Sequence, residues 1–335
     1  MERKRSPVFV MGCHRSGTNL LYDMLLSAGG FAVYRGYLPI HKTLIPRFGS
    51  PDKLSNRKKI LETWLRSKGF RRSGLAAERL STKVLQECRT GGDFIRIVMD
   101  EIAREQNVLR WAVYDPDTAL NLPAIKAEIP QALFVQIVRD GRDIALSLRK
   151  MGGFRPFPWF RRSGGLLGTA LYWEWMVRKA RSHGRRIPAD YCEVSYENLV
   201  TEPRATLRGL GEFLDHDLDY DTIYATALGR LQQTNSSFVG DAEAAHRNPV
   251  NRWRERLSRN EVAMLEAVIG GSLKEYGYDL TTSEEERRTN LWTRWPRYVY
   301  PKFLDTKLWL KVNTPLGKLT NLAALELGNA VRPGY

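Results

Sequence analysis

Pro7 to Met11 (PVFVM) is a short apolar run that stops at Gly12, and from Thr18 to Ser27 the apolar residues Leu20, Leu21, Met24, Leu25 and Leu26 return at helical spacing. The pattern predicts a strand, a tight loop and a helix. It recurs at Leu133 to Val138 (LFVQIV), a β-branched run that meets Arg139, Asp140 and Gly141 and then a helical segment from Asp143 to Lys150. A third strand is predicted from Tyr191 to Tyr196, followed by a helix from Pro203 to Leu214 that gathers Leu207, Leu210, Phe213 and Leu214 on one face. Strands alternating with helices imply an α/β fold, a parallel sheet flanked by helices on both sides in three layers.

Between the first two units lies a long basic segment, expected to be a mainly helical insertion over about residues 39–110, with Ile95, Val98 and Ile102 aligned on a helix from Asp93 to Gln106. Ser258 with Glu261 is a capping box opening a helix to about Tyr276, with Val262, Leu265, Val268, Ile269 and Leu273 as its buried stripe. This helix closes a domain expected to run over residues 1–280. Residues 281–335 form a basic, aromatic C-terminal extension, in which Trp292, Trp295, Tyr298, Tyr300, Phe303 and Trp309 are interleaved with Arg and Lys. The chain has no internal repeat and no low-complexity tract.

The 335 residues are 43% hydrophobic, enough for a substantial core. The cysteines, Cys13, Cys88 and Cys192, are widely spaced and lack C-x-x-C pairing, so neither a disulfide framework nor a metal site is expected. The charged N-terminus has no signal-peptide core, and no apolar run has spanning length. A cytoplasmic protein is expected. The net charge of +15 favours anionic ligands without choosing among them, and the many arginines suit bidentate phosphate recognition.

Gly12 to Thr18 (GCHRSGT) has the glycine spacing of a phosphate-binding loop and sits between a strand and a helix, where such a loop belongs. Its glycines let several backbone N–H groups turn inward, and the helix N-terminus adds partial positive charge. His14, Arg15, Ser16, Gly17, Thr18 and Asn19 are the candidate cradle. The lysine and the magnesium-ligating hydroxyl of a nucleoside triphosphatase are missing after Gly17, which argues for phosphate binding without metal. Arg139 and Ser147 stand eight apart, one at a strand end and one two turns into the next helix, on the same carboxyl edge as the first loop. Two anion sites on one edge suit a bisphosphorylated nucleotide.

These residues resemble those of the sulfotransferases that use 3′-phosphoadenosine 5′-phosphosulfate (PAPS). Cys13 to Leu21 (CHRSGTNLL) is similar to the family's 5′-phosphosulfate loop, and Val138 to Ser147 (VRDGRDIALS) to its 3′-phosphate motif. Ser195 to Pro203 (SYENLVTEP) resembles the family's Y-x-x-L-x-x-x-P junction, and Asn251 to Arg254 (NRWR) its basic-aromatic segment over the nucleotide. The resemblance implies sulfuryl transfer from PAPS to a hydroxyl or amine, without metal. Arg15 would face the 5′-phosphate and the leaving oxygen, Arg139 and Ser147 the 3′-phosphate, with Tyr196 and Arg252 as further contacts and Trp253 either near the nucleotide or in the core.

Two departures concern the chemistry. The glutamate that many relatives carry after the second strand is absent from Phe31 to Tyr37, and the family's Lys-Thr-Pro motif reads Tyr114-Asp115-Pro116 here. His41 is the first candidate for the base, Asp115 the second, and His14 a further one. Alternatives are a nucleotide-dependent phosphotransferase, or a protein of this fold that binds anions with weak catalysis. The acceptor, whether small molecule, glycan, lipid or peptide, is not specified by the motifs. Nucleic acid is not the expected partner, and the C-terminal aromatics suit either a membrane surface or packing on the core.

Overall fold

A computed structural model describes residues 3–151, 165–228, 250–288 and 291–328. Strand β1 (Val8–Gly12) is buried throughout. Phe9 and Met11 join the core on one face of the sheet, Val8 and Val10 the core on the other, as a pleated strand covered on both sides requires. Helix α1 (Thr18–Ser27) follows the glycine loop, and a two-residue strand β2 (Phe31–Ala32) follows the helix.

The segment between β2 and the next strand is helical. A π-turn at Ile40–Leu44 leads into α2 (Ile45–Phe48), α3 (Leu54–Leu65), α4 (Lys68–Ser73), α5 (Ala77–Glu87) and α6 (Gly91–Glu105). The start of α6 is fixed by a capping box in which Thr90 and Asp93 exchange side-chain and backbone hydrogen bonds. Strand β3 (Arg110–Tyr114) and helix α7 (Thr118–Glu128) come next, then β4 (Leu133–Val138) and α8 (Gly141–Lys150). Helix α9 (Gly165–Gly184) precedes β5 (Tyr191–Ser195), which passes into α10 (Tyr196–Thr201) and α11 (Pro203–Leu214). The chain continues through α12 (Tyr220–Thr226), α13 (Trp253–Arg256), α14 (Arg259–Glu275) and α15 (Leu291–Asn313), which ends near a 3-10 turn at Pro315–Leu319.

The five strands form one parallel sheet in the order β2-β3-β1-β4-β5. All carboxyl ends therefore lie on one edge. Because β1 has β3 on one side and β4 on the other, the loops after β3 and β4 flank the β1 loop from opposite directions, the place where open α/β sheets hold ligands. Phe9 stacks on Phe134 of β4 with ring centres 5.4 Å apart and meets Trp111 of β3 edge-on, so aromatic packing ties the three central strands together.

The capping box predicted at Ser258 and Glu261 opens α14, whose buried residues include the predicted stripe. Helix α9 left no amphipathic signature because it is buried almost all round from Leu166 to Val177. Strand β3 was missed for a related reason: its five residues begin with Arg110, whose guanidinium is buried and donates from Nε to the Ser6 carbonyl at 2.8 Å.

Candidate functional site

The loop after β1 is shaped by two close approaches. A Cβ on Gly12 would lie 2.5 Å from the Ile137 carbonyl oxygen, and one on Gly17 would lie 2.4 Å from the Tyr196 ring. Only glycine fits either position. Gly17 has φ +102° and Arg15, a non-glycine residue, has φ +74°. Left-handed backbone costs an ordinary residue about 1–2 kcal/mol, and strain of this kind collects where a loop is set for a ligand. The loop is braced by Ser16, whose hydroxyl donates to the Cys13 carbonyl at 2.7 Å and is itself buried. The Ser16 N–H donates to the same carbonyl at 3.0 Å, so Ser16 holds the turn with both its backbone and its side chain. Thr18 is buried at the first turn of α1, while Asn19 is half-buried beside it.

On the β4 and β5 side the predicted anion-binding residues converge. Arg15 Nε donates to Ser147 Oγ at 3.1 Å, and Arg139 Nη1 donates to the Arg15 carbonyl at 3.4 Å. The Arg139 guanidinium lies over the Tyr196 ring, 4.4 Å from its centre, and pairs with Asp143 at 3.3 Å. Arg252 stands close enough that, after burial, the Arg139 charge is the next force holding its guanidinium below the usual value. Arg15, Arg139 and Arg252 thus share one small region, an arrangement that like-charge repulsion opposes and an anion relieves.

Arg139 is positioned by residues the motif did not reveal. The Trp173 indole of α9 donates to the Arg139 carbonyl at 3.0 Å, and the Glu197 carboxylate accepts the Asp140 N–H at 2.9 Å and the Tyr278 hydroxyl at 2.9 Å. Arg142, three residues on, does a different job. It is 2% exposed, bonds to Asp140 and Glu266, and stacks on Trp253 at 3.8 Å. Trp253 is 2% exposed and its backbone N–H donates to the Asp143 carboxylate at 2.9 Å, so it is a core aromatic behind the site.

The β3 side holds a different set. Asp115 directly follows β3, and burial followed by the neighbouring Asp117 charge pushes its carboxyl up to about 6. Burial also acts on Asp117, but the His14 ring at 3.6 Å and the Lys42 ammonium outweigh it and hold that carboxyl below its ordinary range. A pocket beside this cluster is lined by Tyr34, Leu38, His41, Asp115 and Asn121. His41 is 8% exposed, and its Nε2 is engaged by Glu128 at 2.7 Å, a carboxylate that also accepts the Gly92 N–H at 2.6 Å. The structure therefore brings Asp115 close to His14 of the phosphate loop and places His41 on the wall of the same pocket, tied to Glu128 at the end of α7. Among the described residues no cluster of three or more His, Cys, Asp or Glu side chains is arranged for a metal ion.

The arrangement can hold a nucleotide with two separated phosphates on the β4 side and a second molecule on the β3 side, with the β1 loop between them. The glycine-tight cradle and the shared arginines fit a phosphate-bearing ligand.

Known proteins point the same way. A family model described as "Sulfotransferase family" matches residues 7–220. The chain is 30% identical over 105 residues to mouse (Mus musculus) carbohydrate sulfotransferase 7, covering 30% of this chain and 21% of that one. It is 28% identical over 127 residues to a putative protein-tyrosine sulfotransferase of Caenorhabditis elegans, covering 37% and 47%. The chain thus spans about half or less of these two relatives. Its fold is similar to the sulfotransferase domain of the Synechococcus PCC 7002 olefin synthase, with a TM-score of 0.52 at 18% identity, covering 82% of this chain and 96% of that one.

Proposed function

The chain belongs to the sulfotransferase family, and from that premise we propose that it moves a sulfuryl group from PAPS to an acceptor hydroxyl or amine bound in the pocket beside Asp115. The observation that carries this reading is the meeting of Arg15, Ser147, Arg139 and Tyr196 at one carboxyl edge, with the Arg15 to Ser147 bond at 3.1 Å joining the two predicted phosphate sites.

PAPS supplies the sulfuryl group and leaves as adenosine 3′,5′-bisphosphate. Arg139, Ser147 and Arg252 take the 3′-phosphate, with Tyr196 fixing the plane of the Arg139 guanidinium. The backbone N–H groups of His14, Arg15, Gly17, Thr18 and Asn19 and the Arg15 side chain hold the 5′ end and neutralise the negative charge that grows on the departing oxygen. Asp115 is the base. It lies at the strand end nearest the phosphate loop, lines the pocket, and its raised carboxyl is ionised at neutral pH yet basic enough to take a proton. His14, held by Asp117, sits between the two halves and orients the acceptor, while His41 lines the pocket and fixes the wall through Glu128. The relatives' names suggest a glycan or a peptide tyrosine as the acceptor. The domain is taken to extend to about residue 280. A cytoplasmic setting fits the three free cysteines.

Calorimetric titration with adenosine 3′,5′-bisphosphate, using ATP and AMP as controls, tests the proposal. The bisphosphate should bind and the controls should not. Arg139→Ala should weaken binding by roughly 10-fold to 150-fold, the loss of a charge-assisted hydrogen bond worth about 1.5–3 kcal/mol. Equal affinity for ATP would move the phosphotransferase alternative to first place.

A further inference from the structure

Helix α15 has two unlike faces. Tyr300 and Leu304 are buried, and Asp305 accepts the Trp175 indole N–H at 2.8 Å and pairs with Lys179 at 3.0 Å, which fastens the helix to α9. The following 3-10 turn is fastened too, since a Cβ on Gly317 would lie 2.5 Å from the Pro46 carbonyl oxygen. The other face is exposed. Trp295, Tyr298, Trp309, Val312, Leu316 and Leu319 are between 53% and 76% exposed, and within the helix Trp295, Tyr298, Lys302, Trp309 and Val312 recur at steps of three, four and seven, which puts them on one stripe. Six Lys or Arg residues against one acidic residue, Asp305, lie within residues 291–319, and Asp305 is already engaged. The Trp292 side chain lies outside the described residues.

We propose that this stripe seats the protein on an anionic lipid surface. Large aromatic and aliphatic side chains exposed together along one helix face, rather than scattered singly, mark a contact, and the charge around them selects the partner. A second copy would bring the same positive charge face to face, and a nucleic acid would satisfy the lysines while leaving Val312, Leu316 and Leu319 in water. An anionic bilayer interface satisfies both, because Trp and Tyr rings settle at headgroup depth and lysine stems lie along the apolar layer with their ammonium groups at the phosphates. The contact is peripheral: among the described residues no helix is long and apolar enough to cross a membrane. Lys311, on the packed face of the same helix, feels the charges of Lys42 and Asp117, so α15 adjoins the Asp115 side of the sheet through its buried face while the stripe is left exposed. The proposal rests on the surface of α15 and stands whether or not the chain transfers sulfuryl groups.

The test is co-sedimentation of the full chain with vesicles of phosphatidylcholine, with and without phosphatidylglycerol, across a salt series. Binding is expected only with phosphatidylglycerol and should fall as salt rises. A Trp295→Ser/Trp309→Ser variant and a Lys302→Glu/Lys318→Glu variant should each bind roughly tenfold more weakly or worse, with unchanged circular dichroism because these side chains are exposed. Absence of vesicle binding, equal binding to neutral vesicles, undiminished binding by both variants, or a dimer in light scattering that the tryptophan variant dissolves would each overturn it.

Discussion

Gly17→Ala offers the sharpest trial of how the loop and the nucleotide site are joined. The added Cβ would lie 2.4 Å from Tyr196 Cδ2 and 2.8 Å from Cε2, and the backbone there has φ +102°. Left-handed strain contributes about 1–2 kcal/mol and overpacking against a buried ring about 1–3 kcal/mol, so the variant should be destabilised by roughly 2–5 kcal/mol in urea unfolding. The two parts separate in a double-mutant cycle. Tyr196→Ala removes the ring that the Cβ strikes, so the overpacking part should vanish in that background while the backbone part remains, giving a coupling of about 1–3 kcal/mol. The same displacement should weaken bisphosphate binding. Tyr196 carries the Arg139 guanidinium at 4.4 Å, and a desolvated cation–π contact is worth up to about 2 kcal/mol, so calorimetry should show a loss of roughly tenfold or more in Gly17→Ala. Stability effects that add within about 0.5 kcal/mol would refute the claim that Gly17 is required by the approach of Tyr196 rather than by its backbone angle alone.

Two further outcomes are expected. Asp115→Asn should lower kcat/KM by about 10²-fold to 10⁴-fold. In the wild type kcat/KM should rise with pH through about 6 as the Asp115 proton leaves, and the variant should lose that limb. Because this carboxyl's folded value is raised, its contribution to stability is present below its ordinary value of 3.8 and is lost as pH rises through about 6; a limb that persists in Asp115→Asn and disappears in His14→Gln would move the base to His14. Arg142→Met should cost about 3–5 kcal/mol, measured by urea unfolding, because it leaves Asp140 and Glu266 as buried charges without their partner, and a loss under about 1 kcal/mol would show that those carboxylates are neutralised in another way.

What the chain disclosed and what it kept hidden divide along a physical line. Elements with a local mark wrote themselves into the sequence: α11 has one buried and one wet face, α14 starts at its capping box, and α1 and β4, although buried almost throughout, occupy the predicted spans because each borders a glycine-containing motif loop. Helix α9, buried on every side and bordering no motif, did not, since with Leu166, Trp173 and Val177 all inside it has no polar stripe to reveal its period. Helix α15 was obscured by Pro296 and Pro301, which lie within it and normally interrupt a helical pattern. Residues that touch a ligand directly were visible because motif chemistry restricts them. Residues that act by holding others, Trp173 on the Arg139 carbonyl and Glu197 on the Asp140 N–H, lie 34 and 57 positions away in the chain, and no local pattern connects them.

The motif VRDGRDIALS shows why a matching pattern still leaves roles to be worked out. Its two arginines stand three apart and read alike in the sequence, yet the fold turns them to opposite duties. Arg139 leaves the end of β4 toward the phosphate loop and meets the Arg15 carbonyl, whereas Arg142, in the first turn of α8, points into the core against Asp140, Glu266 and Trp253. The β1 loop makes the same division between neighbours. His14 reaches Asp117 on the β3 side and Arg15 reaches Ser147 on the β4 side, so two adjacent residues, separated by the left-handed turn at Arg15, link the acceptor half of the site to the nucleotide half. A single shift of that turn would disturb both halves together, which is a physical reason for the loop to be braced by Ser16 from below and by Tyr196 from the side.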